Sequence, residues 1–305
     1  MNEADNLSAS SAPVQKIKRI LVPVDYSECS TFACQYAIKI ACKVGAEIRF
    51  FHTYYSPAFD LIELAGAAQT QSQLREEVTS NLEETEKETI LSFIKSMKNY
   101  ITDNSMPQVN FGYDIAPGVP EDEIIRFSET YDPHLVIMGT RGKGTGMGSI
   151  IGSVTAAVIN RIRFPTLAIP EKYTFVGEKN VKNLLYVTDF DESDFQTLKI
   201  LINLTEQLDL SIHCVHIGED PKSWDRVKME GLMEYFKKAY GKSQVTYSFV
   251  SEKNLLEDLD NLVRTKNINI VSLTSHRQNV FEKLFRPNIT KKLFYHTSVP
   301  LLVFH

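Results

Sequence analysis

Two stretches of this chain repeat one another without a gap. RILVPVDYSECSTFACQYAIKI at 19–40 is mirrored by NLLYVTDFDESDFQTLKILINL at 183–204, which sets Asp189 on Asp25 at an offset of 164 (189 − 25). The same offset sets His216 on His52. Near the C-terminus VPLLVF matches FPTLAI with Pro300 on Pro165, an offset of 135, so the second copy lacks 29 residues (164 − 135) from its middle. A chain of 305 residues that repeats one plan in this way is expected to build two domains of the same architecture. The expected boundaries are a polar tail at 1–16, a first domain at 17–172, a linker at 173–180 and a second domain at 181–305.

The plan itself is a β-α-β unit. Ile20, Leu21, Val22 and Val24 form a nearly continuous apolar run, the pattern of a strand buried on both faces. Ser27 can cap a helix with Glu28 in its first turn, and Gly45 stands where such a helix ends. AEIRFFHTY reads as the second strand, and strand–helix–strand order implies a parallel sheet. A long helical segment follows, with Leu74, Val78, Leu82, Leu91, Ile94 and Ile101 expected along one face. Gln108–Ile115 alternates like a third strand, HLVIMG is a fourth and PTLAI a fifth, with helices opening near Gly118 and Val154. The expected fold class is α/β, two tandem doubly wound domains of five parallel strands each.

Composition excludes some functions. The formal net charge is −5 and no long Lys/Arg block occurs, which argues against nucleic acid as a partner. No apolar run approaches the roughly 18 residues of a membrane span. The polar N-terminus MNEADNLSASSAPVQ has neither the basic region nor the apolar core of a signal peptide, so a cytoplasmic protein is expected. The four cysteines, Cys29, Cys34, Cys42 and Cys214, form no C-x-x-C pair and read as apolar residues of a reducing compartment.

The stretch GTRGKGTGMGSIIGS, Gly139–Ser153, contains six glycines in fifteen residues. Either it is a mobile surface loop or it cradles a phosphate. The Walker A pattern fails, because Thr145 stands where lysine is required after Gly144. The G-x-G-x-x-G fingerprint fails at Met147 and at Ser149, and it belongs after a first strand, not a fourth. What fits is G-x2-G-x9-G-S, through Gly139, Gly142, Gly152 and Ser153. Glycine at a strand exit lets backbone approach a ligand, and Gly152–Ser153 opens a helix whose N–H groups and dipole favour a phosphate. Ser153 and Thr155 add hydroxyl donors, and Arg141 and Lys143 add positive charge unless they are simply solvated.

With its VPVDYS first strand, LVIMGTRG fourth strand and GSVT helix start, the chain resembles the ATP-binding subset of the universal stress protein family, as a tandem pair across residues 17–305. That resemblance implies an adenine nucleotide, ATP with Mg²⁺ held by its phosphates. It implies that Asp25 contacts the nucleoside and that backbone around Pro23, Val24 and Thr53 lines the adenine pocket. Met138 and Gly139 would flank the ribose, and Gly142, Gly152, Ser153, Val154 and Thr155 would hold the phosphates. Family members pair through their fifth strands, so PTLAI and PLLVF can pair within one chain as a pseudo-dimer, with a homodimer left open. The implied role is a nucleotide-dependent stress-response or signalling module with an unidentified protein partner. A slow ATPase, or an interaction protein in which the nucleotide is structural, are the alternatives.

No catalytic constellation stands out. The S-G-G-x-D-S loop of ATP pyrophosphatases and the H-I-G-H and K-M-S-K-S signatures of class I synthetases are missing from the sequence. In the second half the motif degenerates: Gly139, Gly142, Gly152 and Ser153 map to Thr274, Arg277, Pro287 and Asn288, and Pro287 has no N–H to offer a phosphate. His213-Cys-Val-His216 is not expected to bind a metal, since residues three apart on a strand face opposite ways. Trp224, Val227, Phe236 and Tyr240 are expected to pack a helix, and Ser56–Gln73 to fold over the nucleotide as a lid.

Overall fold

The computed structural model describes residues 16–56, 71–142, 151–170, 182–188, 192–217, 223–240, 245–250, 255–274 and 299–305. The expected tail up to residue 15, the linker at 173–180, residues 57–70 of the expected lid, Lys143, Asp189, Arg277, Pro287 and Asn288 lie outside these. The chain divides into two compact units, Ile17–Tyr173 and Thr174–Phe304.

In the first unit the described elements run β1 (Arg19–Val24), α1 (Glu28–Val44), β2 (Glu47–Tyr54), α2 (Gln71–Asp103), β3 (Phe111–Pro117), α3 (Pro120–Tyr131), β4 (Leu135–Gly139), α4 (Ser153–Arg161) and β5 (Thr166–Ile169). The strands lie in the order β3-β2-β1-β4-β5, and every neighbouring pair is parallel. Helices cover both faces: α1 packs on β1 and β4, and α2 on α1 and β3, while α3 packs on α4 and β2. This explains why β1 and β4 are apolar almost throughout: Leu21, Val22, Val136 and Ile137 have no solvent-facing side to turn to.

The helix ends follow from local chemistry. The Ser27 hydroxyl accepts the N–H of Ser30 at 3.1 Å and starts α1. Gly45 closes it at φ 72°, with its N–H on the carbonyl of Ala41. In α2 the buried stripe is Ile90, Ile94, Met97 and Ile101, and Leu91 is 49% exposed. The sequence expectation placed Leu91 on the inner face; the helical period instead sets it about a quarter-turn from Ile90, away from the sheet.

In the second unit β6 (Asn183–Thr188), α5 (Glu192–Leu208), β7 (Ser211–Ile217), α6 (Ser223–Tyr240), β8 (Val245–Val250), α7 (Leu255–Thr265), β9 (Ile270–Thr274) and β10 (Leu301–Phe304) follow the same plan. Its strands lie β10-β9-β6-β7-β8, all parallel, which is the first unit's order read from the other edge. Trp224 and Val227 on α6 are 67% and 52% exposed, so they do not pack the helix as the sequence suggested. Among the described residues no helix is long and apolar enough to cross a membrane.

The corrected stripe on α2 has a direct test. Ile90→Ala should lower the unfolding free energy by about 2–5 kcal/mol, whereas Leu91→Ala should change it by no more than about 0.5 kcal/mol, read by urea denaturation.

Candidate functional site

The strand order of the first unit reverses between β1 and β4. From β1 the chain moves to β2 on one side, and from β3 it crosses to β4 on the other. The segments leaving the two strand ends therefore part, and a crevice remains between them. There the structure has a cleft of about 630 Å³, within the size range of small-molecule sites.

All twelve sequence-derived site residues line it. Pro23, Val24 and Asp25 come from the end of β1, and Thr53 from the end of β2. Met138 and Gly139 close β4, and Arg141 and Gly142 follow it. Gly152, Ser153, Val154 and Thr155 open α4 from the opposite side. The cleft also takes in Ser30, Phe51, Pro120, Ile124 and Ile151, which sequence reasoning did not single out. Phe51 was within reach of that reasoning, since it stands two residues from Thr53 on the same face of a strand. Ile124 was not, because nothing local indicates that α3 forms a wall of the cleft.

Contacts within the site show what each residue does. The Asp25 carboxylate accepts the N–H of Ser27 at 3.0 Å through Oδ1. A β-carbon added to Gly142 would stand 2.5 Å from Asp25 Oδ2, and one added to Gly139 would stand 3.0 Å from the carbonyl carbon of Cys29. The sequence reading gave both glycines to the ligand. The structure gives them a closer neighbour: Gly139 admits the first turn of α1 against β4, and Gly142 admits the Asp25 carboxylate.

At the start of α4, Gly152 is the N-cap, with extended backbone (ψ 158°) and no capping side chain. Its own N–H donates to the carbonyl of Thr140 at 2.7 Å. The first helical N–H groups, those of Ser153, Val154 and Thr155, are the orphan donors of a helix start and stand at the cleft. The Ser153 side chain is exposed beside them. Thr155 is buried, and its hydroxyl donates to the Gly139 carbonyl at 2.8 Å. The expected second hydroxyl donor for a phosphate is thus engaged in tying α4 to the end of β4, and Thr155 offers its backbone N–H instead. Behind the cleft, burial and the nearby charge of Asp25 push the Cys34 thiol up, which keeps it protonated and unreactive.

In the second unit, His213 and His216 serve the sheet. His213 reaches the hydroxyls of Thr246 and of Ser248, the latter at 3.0 Å, and burial pushes its pKa down. His216 donates from Nδ1 to the Thr188 carbonyl at 2.9 Å. Among the described residues no group of three or more His, Cys, Asp or Glu side chains is placed to hold a metal ion.

Residues 16–170 match the universal stress protein family. Universal stress protein MJ0531 of Methanocaldococcus jannaschii is 30% identical over 153 residues, which are 50% of this chain and 81% of that protein. Universal stress protein MJ0577 of the same organism is 24% identical over 162 residues, 51% of this chain and 96% of that protein. A solved universal stress protein from Archaeoglobus fulgidus shares the fold at a TM-score of 0.64 and 18% identity, covering 94% of this chain and 97% of that one.

The Thr155 bond can be tested apart from any ligand. Thr155→Val keeps the shape and removes the donor from a buried carbonyl, so stability should fall by about 1–3 kcal/mol in a denaturant titration.

Proposed function

The chain belongs to the universal stress protein family, and from that premise we propose that its first unit is an adenine-nucleotide-binding module for ATP. The observation that carries this reading is the convergence on one cleft of the whole G-x2-G-x9-G-S set, with an uncapped helix start on one side and Asp25 on the other. The N–H groups of Ser153, Val154 and Thr155 and the Ser153 hydroxyl would hold the phosphates, with Arg141 adding positive charge. Mg²⁺ would enter with the phosphates it neutralises. Pro23, Val24, Asp25 and Thr53, at the ends of β1 and β2, would take the nucleoside, with Met138 and Gly139 at the ribose.

The activity that fits this arrangement is binding that changes shape or partners with nucleotide state, as a stress-response or signalling device. Asp25 is the carboxylate lining the cleft, and its Oδ1 is engaged by Ser27, which supports an orienting role for it over that of a general base. The second half is read as a degenerate copy that binds no ATP, on the strength of Thr274, Arg277, Pro287 and Asn288 at the motif positions.

Nucleotide released from the denatured, purified protein, separated by chromatography and identified by mass, should amount to about one adenine nucleotide per chain, as one intact motif implies. Ser153→Ala should weaken ATP binding about 10- to 100-fold, since a hydrogen bond to a charged group contributes roughly 1.5–3 kcal/mol. Gly152→Val should weaken it further. A protein that carries no nucleotide and ignores added Mg-ATP would overturn the reading. Two equivalents per chain would overturn the view of the second half. Turnover well above about 1 s⁻¹ would make the protein an enzyme in the ordinary sense.

A further inference from the structure

Asp25 faces the cleft, and the next residue faces the other side of the sheet. Tyr26 has φ 59°, a left-handed conformation that a bulky L-residue holds only when its surroundings impose it. Two things impose it. The Asp25 carboxylate bonds the N–H of Ser27, closing a turn whose single inner residue is Tyr26. The Tyr26 ring is wedged against His52 at 4.4 Å between centroids, and edge-on to Phe93 of α2 at 5.5 Å.

His52 extends the same connection. Its Nδ1 stands 2.7 Å from the carbonyl oxygen of Val24. A carbonyl cannot donate, so Nδ1 carries a proton; Nε2 is turned toward α2, where it lies 3.4 Å from Oε2 of Glu86, a contact that is an ion pair when Nε2 is protonated too. Thr53, next in the chain, lines the cleft from the opposite face of β2. Glu86 and Phe93 lie along the buried stripe that continues through Ile90, Ile94 and Met97. Both strand ends that line the nucleoside side of the cleft are therefore backed by α2: β1 through Tyr26 and Phe93, β2 through His52 and Glu86.

α2 itself is 33 residues long, about 50 Å. The seven-residue strand β3 that it packs against spans about 23 Å. The helix is thus about twice as long as that strand, and Glu86 and Phe93 lie in its middle.

We propose that Tyr26 is a positioning residue that couples the nucleotide cleft to helix α2, so that docking of α2 reports whether the cleft is occupied. The inference rests on the nucleotide reading above. When Asp25 turns to a nucleoside donor, the turn it closes on Ser27 must open or tighten, and Tyr26 can follow only by shifting its ring against Phe93 and His52. Linkage makes the effect reciprocal: what loosens α2 weakens the nucleotide by the same factor.

The test is hydrogen–deuterium exchange on the full chain with and without Mg-ATP, with binding verified separately by calorimetry. In the wild type, peptides covering 83–100 should change their exchange about threefold or more on saturation. Tyr26→Phe keeps the ring and should keep the response. Tyr26→Ala should abolish it. Phe93→Ala lies off the cleft and should still weaken ATP about fivefold, the low end of ordinary allosteric coupling. Phe93→Leu, which preserves apolar bulk, should lower affinity in the same direction if the alanine variant does not fold. A merely structural wedge would lower thermal stability in these variants and leave ATP affinity unmoved, which would overturn the coupling. So would a wild type that binds ATP with no change in exchange over 83–100. A wild type that binds no ATP overturns the nucleotide reading and this inference with it.

Discussion

Everything at the cleft descends from one reversal of strand order. A parallel sheet must return the chain over its faces, and here the returns go one way from β1 and the other way from β4. The gap between the two exits cannot be filled by either neighbouring connection. Beside apolar walls such as Phe51, Ile124 and Met138, the chain places small or polar residues at the exits themselves: Asp25 after β1, Gly139 and Gly142 at and after β4, and the Gly152–Ser153 start of α4. The same geometry aims a helix N-terminus at the gap, so the site has positive character before any lysine or arginine is counted. The deep burial of β1 and β4 holds these exits at a fixed spacing, because neither strand can shift without exposing Leu21, Val22, Val136 or Ile137.

Much of this was legible in the residues. The apolar run of β1, the Ser27 cap, the Gly45 stop and the spacing from Gly139 to Ser153 each have a local cause, and each element formed where that cause stood. What was not legible depended on side chains meeting across the fold. The glycines were read as room for a ligand, yet the nearest atoms to their missing β-carbons belong to Cys29 and Asp25. Thr155 was read as a phosphate donor, yet its hydroxyl answers the carbonyl of Gly139, sixteen residues back. Leu91, Trp224 and Val227 failed for a simpler reason. Periodicity says that a helix has an apolar stripe, but it does not say which borderline positions fall outside it.

The two units keep the same fold-bearing contacts and part at the site. In each, the histidine near the end of the second strand donates from Nδ1 to the carbonyl at the end of the first, His52 to Val24 and His216 to Thr188. At corresponding places on the neighbouring strands, an ion pair between Arg49 and Asp114 in one unit is matched by the bond between His213 and Ser248 in the other. These contacts stitch adjacent parallel strands in both units. Glycines at a strand exit and a helix start serve a ligand or a close approach, and at the positions an offset of 135 sets against them the second half carries Thr274, Arg277 and Pro287.

The contact between Asp25 and Gly142 bears on how the cleft works. With Oδ1 held by Ser27 and Oδ2 against Gly142, the carboxylate bridges the exits of β1 and β4. A nucleoside donor that draws Asp25 must therefore act on both exits at once, pulling on the turn that contains Tyr26 and releasing the segment that begins the glycine-rich stretch. Phosphates at the start of α4, in the proposed binding mode, would act on the far end of that same stretch. One ligand would thus grip both ends of the connection between β4 and α4. A binding site built this way would respond to occupancy as a unit, because Asp25 ties the two strand exits together.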